Sequence, residues 1–386
     1  MELTYVATCL FGLEKFLGEE IDALGYKRIS TIDGRVTFSG DLSAVARCNI
    51  GMRFAERLYI KLGEFTADTF DALFEGTKAL AWENFIGAND AFPVTGHSVK
   101  SKLFSIPDCQ SIVKKAIVER LKTKYRLSFF PEDNIVYRVE FFILNDVASL
   151  MIDTSGTALH KRGYRPASNT APLRETLAAA LVKIARPRDD VLFWDPMCGS
   201  GTIAIEAALM QTNRAPGMNR HFDAEGFPQI DTSIWTSARE EARDNIINDS
   251  SFEVYASDID QGCVDLTRDN IRRAGVGGTV KAFQRDALDI KTGGRRGTVV
   301  CNPPYGERLF SMEQAETLYR NMGRAFSHLD SWQIYVLTSH EGFERLYGRR
   351  ADKIRKLYNG MIKCNFYQFF KKRDDFTPKN KGNYQK

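Results

Sequence analysis

Apolar residues recur along this chain with periods of two and of about 3.6, and their succession predicts its elements. "LTYVATCL" reads as a strand, and Leu13, Leu17, Ile21 and Leu24 mark one face of the helix that follows. In "YKRISTIDGRVTFSG", Asp33-Gly34 separates two alternating runs, the strongest short signal for a hairpin. A helix near Leu42 to Asn49 and a strand near Ala55 to Lys61 complete a strand-helix-strand-strand-helix-strand order, which is ferredoxin-like. From Thr66 to about Ile152 the pattern changes. A helix after Asp108 buries Ile112, Val113, Ala116, Ile117 and Leu121, and two strands flank Asn145-Asp146, predicting a small α+β unit.

Thr154 to Thr170, "TSGTALHKRGYRPASNT", is polar and carries Gly and Pro, so it reads as an interdomain connector. Beyond it strands and helices alternate. Helices are expected at Pro172–Ile184, Thr202–Met210, Cys263–Ala274 and Glu313–His328. Strands are expected at Val191–Asp195, Glu253–Ser257, Lys281–Arg285, Thr298–Cys301 and Gln333–Thr338. Such alternation implies an α/β fold with a doubly wound, mainly parallel sheet. It ends in a different rhythm, "KIRKLYNGMIKCNFYQFF", where Asn359-Gly360 predicts an antiparallel hairpin at the sheet edge.

A length of 386 residues exceeds one ordinary core and agrees with several domains. No apolar run approaches the roughly 18 residues needed to cross a bilayer. The start lacks a basic segment and a small-residue cleavage site, so no signal peptide is expected. Seven dispersed cysteines with no C-x-x-C pair point to reduced thiols in a cytoplasm and away from a zinc site. Net charge is +4, but its distribution is uneven. Ser98 to Arg126 carries eight Lys/Arg against Asp108 and Glu119, and Arg349 to Arg373 carries nine against Asp352. Two basic blocks suggest a polyanionic partner. On the helix of the first block Lys114, Lys115, Lys122 and Lys124 fall mostly outside the apolar face, and Arg126 follows them.

"VLFWDPMCGSGTIAIEAA" runs from a strand through a Gly-rich turn into a helix. Gly199 and Gly201 let the backbone approach a ligand, and the helix N–H groups face it. Gly199, Gly201 and Ala204 also satisfy G-x-G-x-x-A, the dinucleotide fingerprint. Two features oppose that reading. The next acidic strand end, Asp258 in "VYASDID", comes 57 positions after Gly201, where the fingerprint expects about 20. Asp195, beside the turn, would repel a pyrophosphate and attract an ammonium group. S-adenosylmethionine fits better: Asp195 faces its amino end, Asp258 its ribose hydroxyls and Asp286 of "QRDALDI" its adenine amino group. Pro196, Cys198, Thr202, Ile259, Ala287 and Asn302 complete the expected cofactor set.

"VVCNPPYGERLF" then places two prolines directly after a strand, where they stiffen the chain and cannot extend a ladder. NPPY resembles the motif of class I methyltransferases acting on exocyclic amines, and such an amine is a poor nucleophile because its lone pair is delocalised into the ring. Asn302 Oδ1 and the Pro303 carbonyl supply acceptors for its two N–H groups, and Tyr305 offers a flat face to an unstacked base. Asn302, Pro303 and Tyr305 are therefore the expected catalytic residues. Cys198 and Cys301 flank the site without an obvious activating neighbour and read as packing residues. His160 and Arg165 in the connector either touch substrate or are solvated, and Arg165 is carried forward with the lysines as an RNA contact. "NRAPGMNRHFDAEGFPQIDTSIW" either shapes the base pocket or covers the sheet edge.

"DPMCGSGT", "SDID", "RDALD" and "NPPYGERL" resemble the motifs of class I methyltransferases acting on exocyclic amines. With "HKRGYRPASNTAPLRETLAAAL" ahead of them, the chain resembles, over nearly its whole length, the bacterial 23S rRNA guanine-N2 methyltransferase family. The resemblance implies a ferredoxin-like domain over 1–65, a THUMP RNA-binding domain over 66–155 and a linker over 156–171. A Rossmann-like methylase over 172–375 and a basic tail over 376–386 follow. It implies S-adenosylmethionine as cofactor, RNA (23S rRNA before or during assembly) as partner, and no metal or membrane. Some members carry a second methylase at the C-terminus, and this chain carries one, so only the guanine-N2 activity is implied. A tRNA guanine-N2 methylase, an adenine-N6 methylase of DNA and a non-catalytic RNA-binding assembly factor are the competing readings.

Overall fold

The computed structural model describes residues 2–166, 173–305 and 311–370. They divide into two compact units. The first takes the described residues up to 166 with Leu173–Ala180 and Leu209–Asp249, and the second takes Leu181–Ala208 and the described residues from 250 onward.

The first unit contains β1 (Leu3–Cys9), α1 (Glu14–Ala23), β2 (Lys27–Ile32), β3 (Arg35–Gly40), α2 (Ser43–Gly51) and β4 (Ala55–Thr66). It continues through α3 (Phe70–Ala79), β5 (Val94–Val99), α4 (Ile106–Tyr125), β6 (Val139–Leu144) and β7 (Val147–Asp153). All seven strands form one sheet, in the order β2-β3-β1-β4-β7-β6-β5. The sheet runs without interruption through residue 65, where the two N-terminal domains are expected to meet. β4 runs well past Lys61, pairing with β1 over its first half and with β7 over its second, with a bulge between Lys61 and Gly63. The tight turns fall where expected. Ile32 pairs with Arg35 across Asp33-Gly34, and Leu144 pairs with Val147 across Asn145 and Asp146, both at positive φ. Tyr5, Ala7, Val36, Phe38, Leu58 and Ile60 are fully buried on one face. The intervening side chains of β2 and β3 are mostly exposed or half-buried.

The chain continues through α5 (Glu175–Ala185), β8 (Leu192–Asp195), α6 (Thr202–Gln211), α7 (Thr232–Asp244), β9 (Val254–Asp258), α8 (Gln261–Ala274) and β10 (Val280–Gln284). β11 (Gly297–Cys301), α9 (Met312–Phe326), β12 (Trp332–Thr338), α10 (Phe343–Tyr347), β13 (Lys353–Asn359) and β14 (Ile362–Phe369) complete it. The second sheet has the order β10-β9-β8-β11-β12-β14-β13. Its first five strands are parallel, and β14 and β13 are antiparallel at the edge, as the terminal hairpin signal predicts. β8 and β11 are buried at every position, as strands covered on both faces must be. Strand order reverses between β8 and β11, the switch point at which open α/β sheets bind ligands.

Residues 209–249 are built into the first unit. Gly217 N–H donates to the Ile50 carbonyl (2.9 Å), and a side chain at 217 would meet the Asn49 carbonyl 2.5 Å from its Cβ. Phe227 stacks on Tyr137 at 4.3 Å between centroids, and α7 sends Glu241 to Arg47 in a two-pronged ion pair. The connector is not loose either. Thr154 and Ser155 are buried, with Thr154 Oγ1 donating to the Leu58 carbonyl and Ser155 Oγ to Asn49 Oδ1. Arg162, also buried, donates to the Leu159 and Arg53 carbonyls. Polar composition suggested a linker, yet Thr154, Ser155 and Arg162 are buried and hydrogen-bonded within the unit. The remainder of the connector, 167–172, the acceptor-loop extension Gly306-Glu307-Arg308-Leu309 and the basic tail lie outside the described residues.

Candidate active site

β8 ends at Asp195, β9 at Asp258, and β11 leads directly into Asn302, so parallel pairing delivers all three side chains to one edge of the second sheet. Asp195 is 1% exposed. Among the described residues the hydrogen bond to its carboxylate comes from Met197 N–H at 3.3 Å. Burial pushes its pKa up to about 8, and the neighbouring Asp258 adds to the rise. A buried carboxyl in that state is poised to exchange its proton for a fixed cation. Asp258 is half-buried and already committed to the loop: Oδ2 accepts from Gly199 N–H (2.9 Å) and Oδ1 from Asp260 N–H (3.1 Å). Each oxygen retains a further lone pair. Asp286 is exposed and caps Leu288 N–H at 2.8 Å, with Ala287 buried beside it. Ile259 projects to solvent at 65% exposure, while its carbonyl accepts from Gln284 Nε2.

The glycine-rich turn is held from below by α8. Gly199 and Gly201 adopt positive φ, 53° and 80°, which favours glycine. A Cβ at Gly201 would lie 2.7 Å from the Thr267 methyl. Thr267 Oγ1 donates to the Gly199 carbonyl at 3.0 Å, and buried Asn270 Nδ2 donates to the Ser200 carbonyl at 2.9 Å. Two successive carbonyls are thus occupied on the α8 side. Pro196, Cys198 and Thr202 are buried, and Cys198 N–H donates to the Ser257 carbonyl at 2.9 Å. Burial drives the Cys198 and Cys301 thiols well above their ordinary range, in keeping with packing roles and against a thiolate nucleophile. Thr267 and Asn270 were not singled out in the sequence, because on α8 they occupy the spacing of ordinary core positions.

The acceptor loop is similarly supported. Tyr319, fully buried on α9, donates to the Pro304 carbonyl at 2.8 Å and contacts Thr338 Oγ1 at 3.0 Å. Thr338 Oγ1 in turn accepts from His340 N–H. Pro303 is buried. The half-buried Tyr305 directs its hydroxyl to Asn302 Oδ1, and burial raises its pKa far above the usual value. Tyr319 lay hidden in the sequence because Ala315, Tyr319, Met322 and Phe326 are also the buried face of an amphipathic helix.

The predicted RNA contacts divide. Lys115, Lys124 and Arg126 are exposed along and just beyond α4. Lys114 is half-buried, donates to Glu132 (2.6 Å) and lies 3.5 Å from the Phe92 ring centroid, and Lys122 pairs with Glu119 at 3.0 Å. Arg165 corrects the expectation. Its side chain is 8% exposed, pairs with buried Glu175 at 3.1 Å and donates to the Leu173 carbonyl, so it is part of the first unit's interior. His160 sits against Glu56 at 2.8 Å in the same unit, with Arg174 3.1 Å from that carboxylate.

Strand order, a cradle of positive-φ glycines and acidic strand ends define a class I methyltransferase fold. Residues 162–368 match the RMKL-like methyltransferase domain, 4–59 the RlmL ferredoxin-like domain and 67–153 the THUMP domain. The chain is 46% identical over 371 residues, 96% of each protein, to YpsC of Bacillus subtilis (strain 168), named provisionally as an RNA methyltransferase. It is 33% identical over 384 residues to the ribosomal RNA large subunit methyltransferase K/L of Syntrophotalea carbinolica. That match covers 95% of this chain and 53% of the relative, so the chain spans about half of that protein. SMU.472, described provisionally as a methyltransferase and solved with SAH, has a TM-score of 0.90 at 41% identity, over 96% of this chain and 99% of that one. The chain belongs to the RMKL-like methyltransferase family, with RlmL-type ferredoxin-like and THUMP domains ahead of the catalytic unit.

Proposed function

We propose that the protein transfers a methyl group from S-adenosylmethionine to the exocyclic N2 amine of a guanine in 23S rRNA. The carrying observation is the convergence of Asp195, Asp258 and Asn302 at the switch point of the second sheet. The residues present fit the cofactor. A buried carboxyl raised to about 8 suits an ammonium group, the free lone pairs of Asp258 suit ribose hydroxyls, and Asp286, Ile259 and Ala287 are the residues this reading assigns to the adenine. When bound, S-adenosylmethionine supplies a methyl group already activated on a sulfonium.

The chain's task is then to position the amine. Asn302 Oδ1 keeps one lone pair beside the Tyr305 hydroxyl, and the Pro303 carbonyl provides the second acceptor. Tyr319 fixes the neighbouring Pro304 carbonyl, so the loop needs little reorganisation when the base arrives. Two acceptors on the two N–H groups turn the amine lone pair out of conjugation and toward the methyl. Orientation carries much of the rate, and no strong base is required. Tyr305 contributes a ring face, worth roughly 1–3 kcal/mol per stacked base in single-strand binders.

Lys115, Lys124 and Arg126 of the THUMP-matching region are the phosphate contacts under this reading, which places the protein with its RNA in the cytoplasm. The seven cysteines are free thiols, in keeping with that compartment. A base must leave its stack to reach Asn302, so protein-free 23S rRNA is the better substrate and the packed subunit the poorer one. Mass mapping of modified nucleosides in rRNA and tRNA from a deletion strain tests the reading. Loss of one N2-methylguanosine from 23S rRNA is expected. Loss of N6-methyladenosine, or a change confined to tRNA, would overturn the substrate.

A further inference from the structure

We propose that the β13–β14 hairpin is a second RNA contact, carried by the catalytic unit itself. Its exposed lysines hold the backbone beside the target nucleotide, and Met361 occupies the place in the base stack that the target leaves. The proposal rests on the RNA-methyltransferase reading above.

Asn359 and Ile362 are the last pair of the hairpin, leaving Gly360 and Met361 as a two-residue loop, with Gly360 at φ 65°. Met361 is 98% exposed, more than any other large hydrophobic side chain among the described residues. At that exposure it makes almost no contact with its own protein, and it sits at the tip of a two-residue turn. A single exposed apolar residue is ordinary. Its surroundings are not. Lys356, Tyr358, Lys363 and Asn365 share one face of the hairpin, because Tyr358 pairs with Lys363 and Lys356 with Asn365. The Lys356 ammonium lies 5.5 Å from the Tyr358 ring centroid. Lys353, Lys356 and Lys363 are exposed. The nearby acid, Asp352, is engaged by Arg349 at 3.0 Å and by Phe370 N–H at 2.7 Å. Cations interleaved with an aromatic ring and an amide suit a single nucleic-acid strand.

Lysines on β13 also guard a sheet edge against pairing with another strand. That role explains neither Lys363, on the inner strand β14, nor Met361. The position of the hairpin supplies the missing reason. Thr338, at the carboxyl end of β12, pairs with Asn365 of β14, and the Tyr319 hydroxyl joins Thr338 to the Pro304 carbonyl, so the loop end of the hairpin lies on the same sheet edge as the acceptor loop. A base drawn toward Asn302 leaves a gap in its stack, and enzymes and architectural proteins fill such gaps with apolar wedges, methionine among them.

The test uses full-length protein, labelled S-adenosylmethionine and total RNA from a strain lacking the gene, which contains whichever RNA is modified. Met361→Ala should lower kcat about tenfold while leaving KM, S-adenosylmethionine affinity and Tm unchanged. Met361→Leu should restore the rate. Because Met361 touches almost nothing in the protein, a change in kcat reports on the RNA and not on folding. The double variant Lys356→Glu, Lys363→Glu should raise KM and flatten the dependence of log affinity on log salt by about one per lysine. Wild-type kcat in Met361→Ala would overturn the wedge, and so would failure of Met361→Leu to restore it. An unchanged KM in the lysine variant would overturn the backbone contact. Absence of label in every RNA with the wild-type protein would overturn the methyltransferase reading, and this proposal with it.

Discussion

The molecule contains two seven-stranded sheets of opposite design. In the first, only β5 and β6 run parallel, so strand ends alternate between both edges and no edge collects several side chains. In the second, five parallel strands deliver their carboxyl ends to one side, and Asp195, Asp258 and Asn302 meet there although 107 residues separate the first from the last. Parallel pairing makes a convergent site from dispersed sequence, whereas an antiparallel sheet must present ligands to a face or a flanking helix. Chemistry is therefore expected in the second sheet and phosphate contact on α4 in the first unit.

The largest expected effect lies at the convergent edge. Asn302→Ala should reduce turnover by on the order of 10²–10³, by analogy with loss of one preorganised polar contact, with cofactor affinity held. A parallel fall in calorimetric affinity would mean that Asn302 holds the cofactor loop instead.

Arg165→Ala probes the opposite region. Removing one partner of a buried ion pair should cost about 3–5 kcal/mol of stability by denaturant unfolding, with RNA affinity per folded molecule unchanged. Weakened RNA binding at full stability would return Arg165 to the phosphate surface.

At the glycine-rich turn, Thr267→Val should weaken S-adenosylmethionine binding by about 1–2 kcal/mol, because the Gly199 carbonyl loses its donor. Thr267→Ser should recover most of it, and an equal loss in both variants would assign the effect to packing.

Asp195 sets a pH test. Its pKa is raised from 3.8 to about 8, so between these values the folded, cofactor-free protein holds a proton that the unfolded chain has lost. Stability from this group is present below about pH 4 and declines as pH rises toward 8. A bound ammonium favours the carboxylate, so calorimetry in buffers of different ionisation enthalpy should show about one proton released at pH 6.5. Asp195→Asn should release none, and equal release by both would move the proton elsewhere.

The smallest effects belong to α4. Lys115→Glu, Lys124→Glu and Arg126→Glu should each flatten the salt dependence of RNA affinity by about one unit of slope. An unaltered slope in all three would place the phosphate surface off this helix.

The contrast between the sheets also explains what could be read from the sequence. Uninterrupted apolar runs such as "LFWD" and "GTVVC" announce buried parallel strands, and acids or prolines at their ends announce the edge. Hairpins at Asp33-Gly34 and Asn145-Asp146 were legible because positive φ restricts which residues serve. At the terminal hairpin the strand pairing was legible and the turn lay one residue later, at Gly360-Met361. The partners of Arg165, Gly217 and Tyr319 were not legible. Each depends on a contact between distant segments, and a buried arginine, a loop glycine and a helical tyrosine look alike whether or not that contact exists. The continuity of the first sheet escaped for a related reason, since nothing in "AERLYIKLGEFT" reveals that both halves of β4 find neighbours.

The incorporation of Leu209–Asp249 into the first unit has a consequence for synthesis. At roughly 5–20 residues per second, a further 4–17 s elapse on the ribosome between residue 166 and residue 249. Within that interval the carbonyl of Ile50, the ring of Tyr137 and the guanidinium of Arg47 await Gly217, Phe227 and Glu241 in turn. The N-terminal unit is therefore completed only after β8 and the glycine-rich turn have been made, so the two units mature as interleaved halves and not in the order of their names.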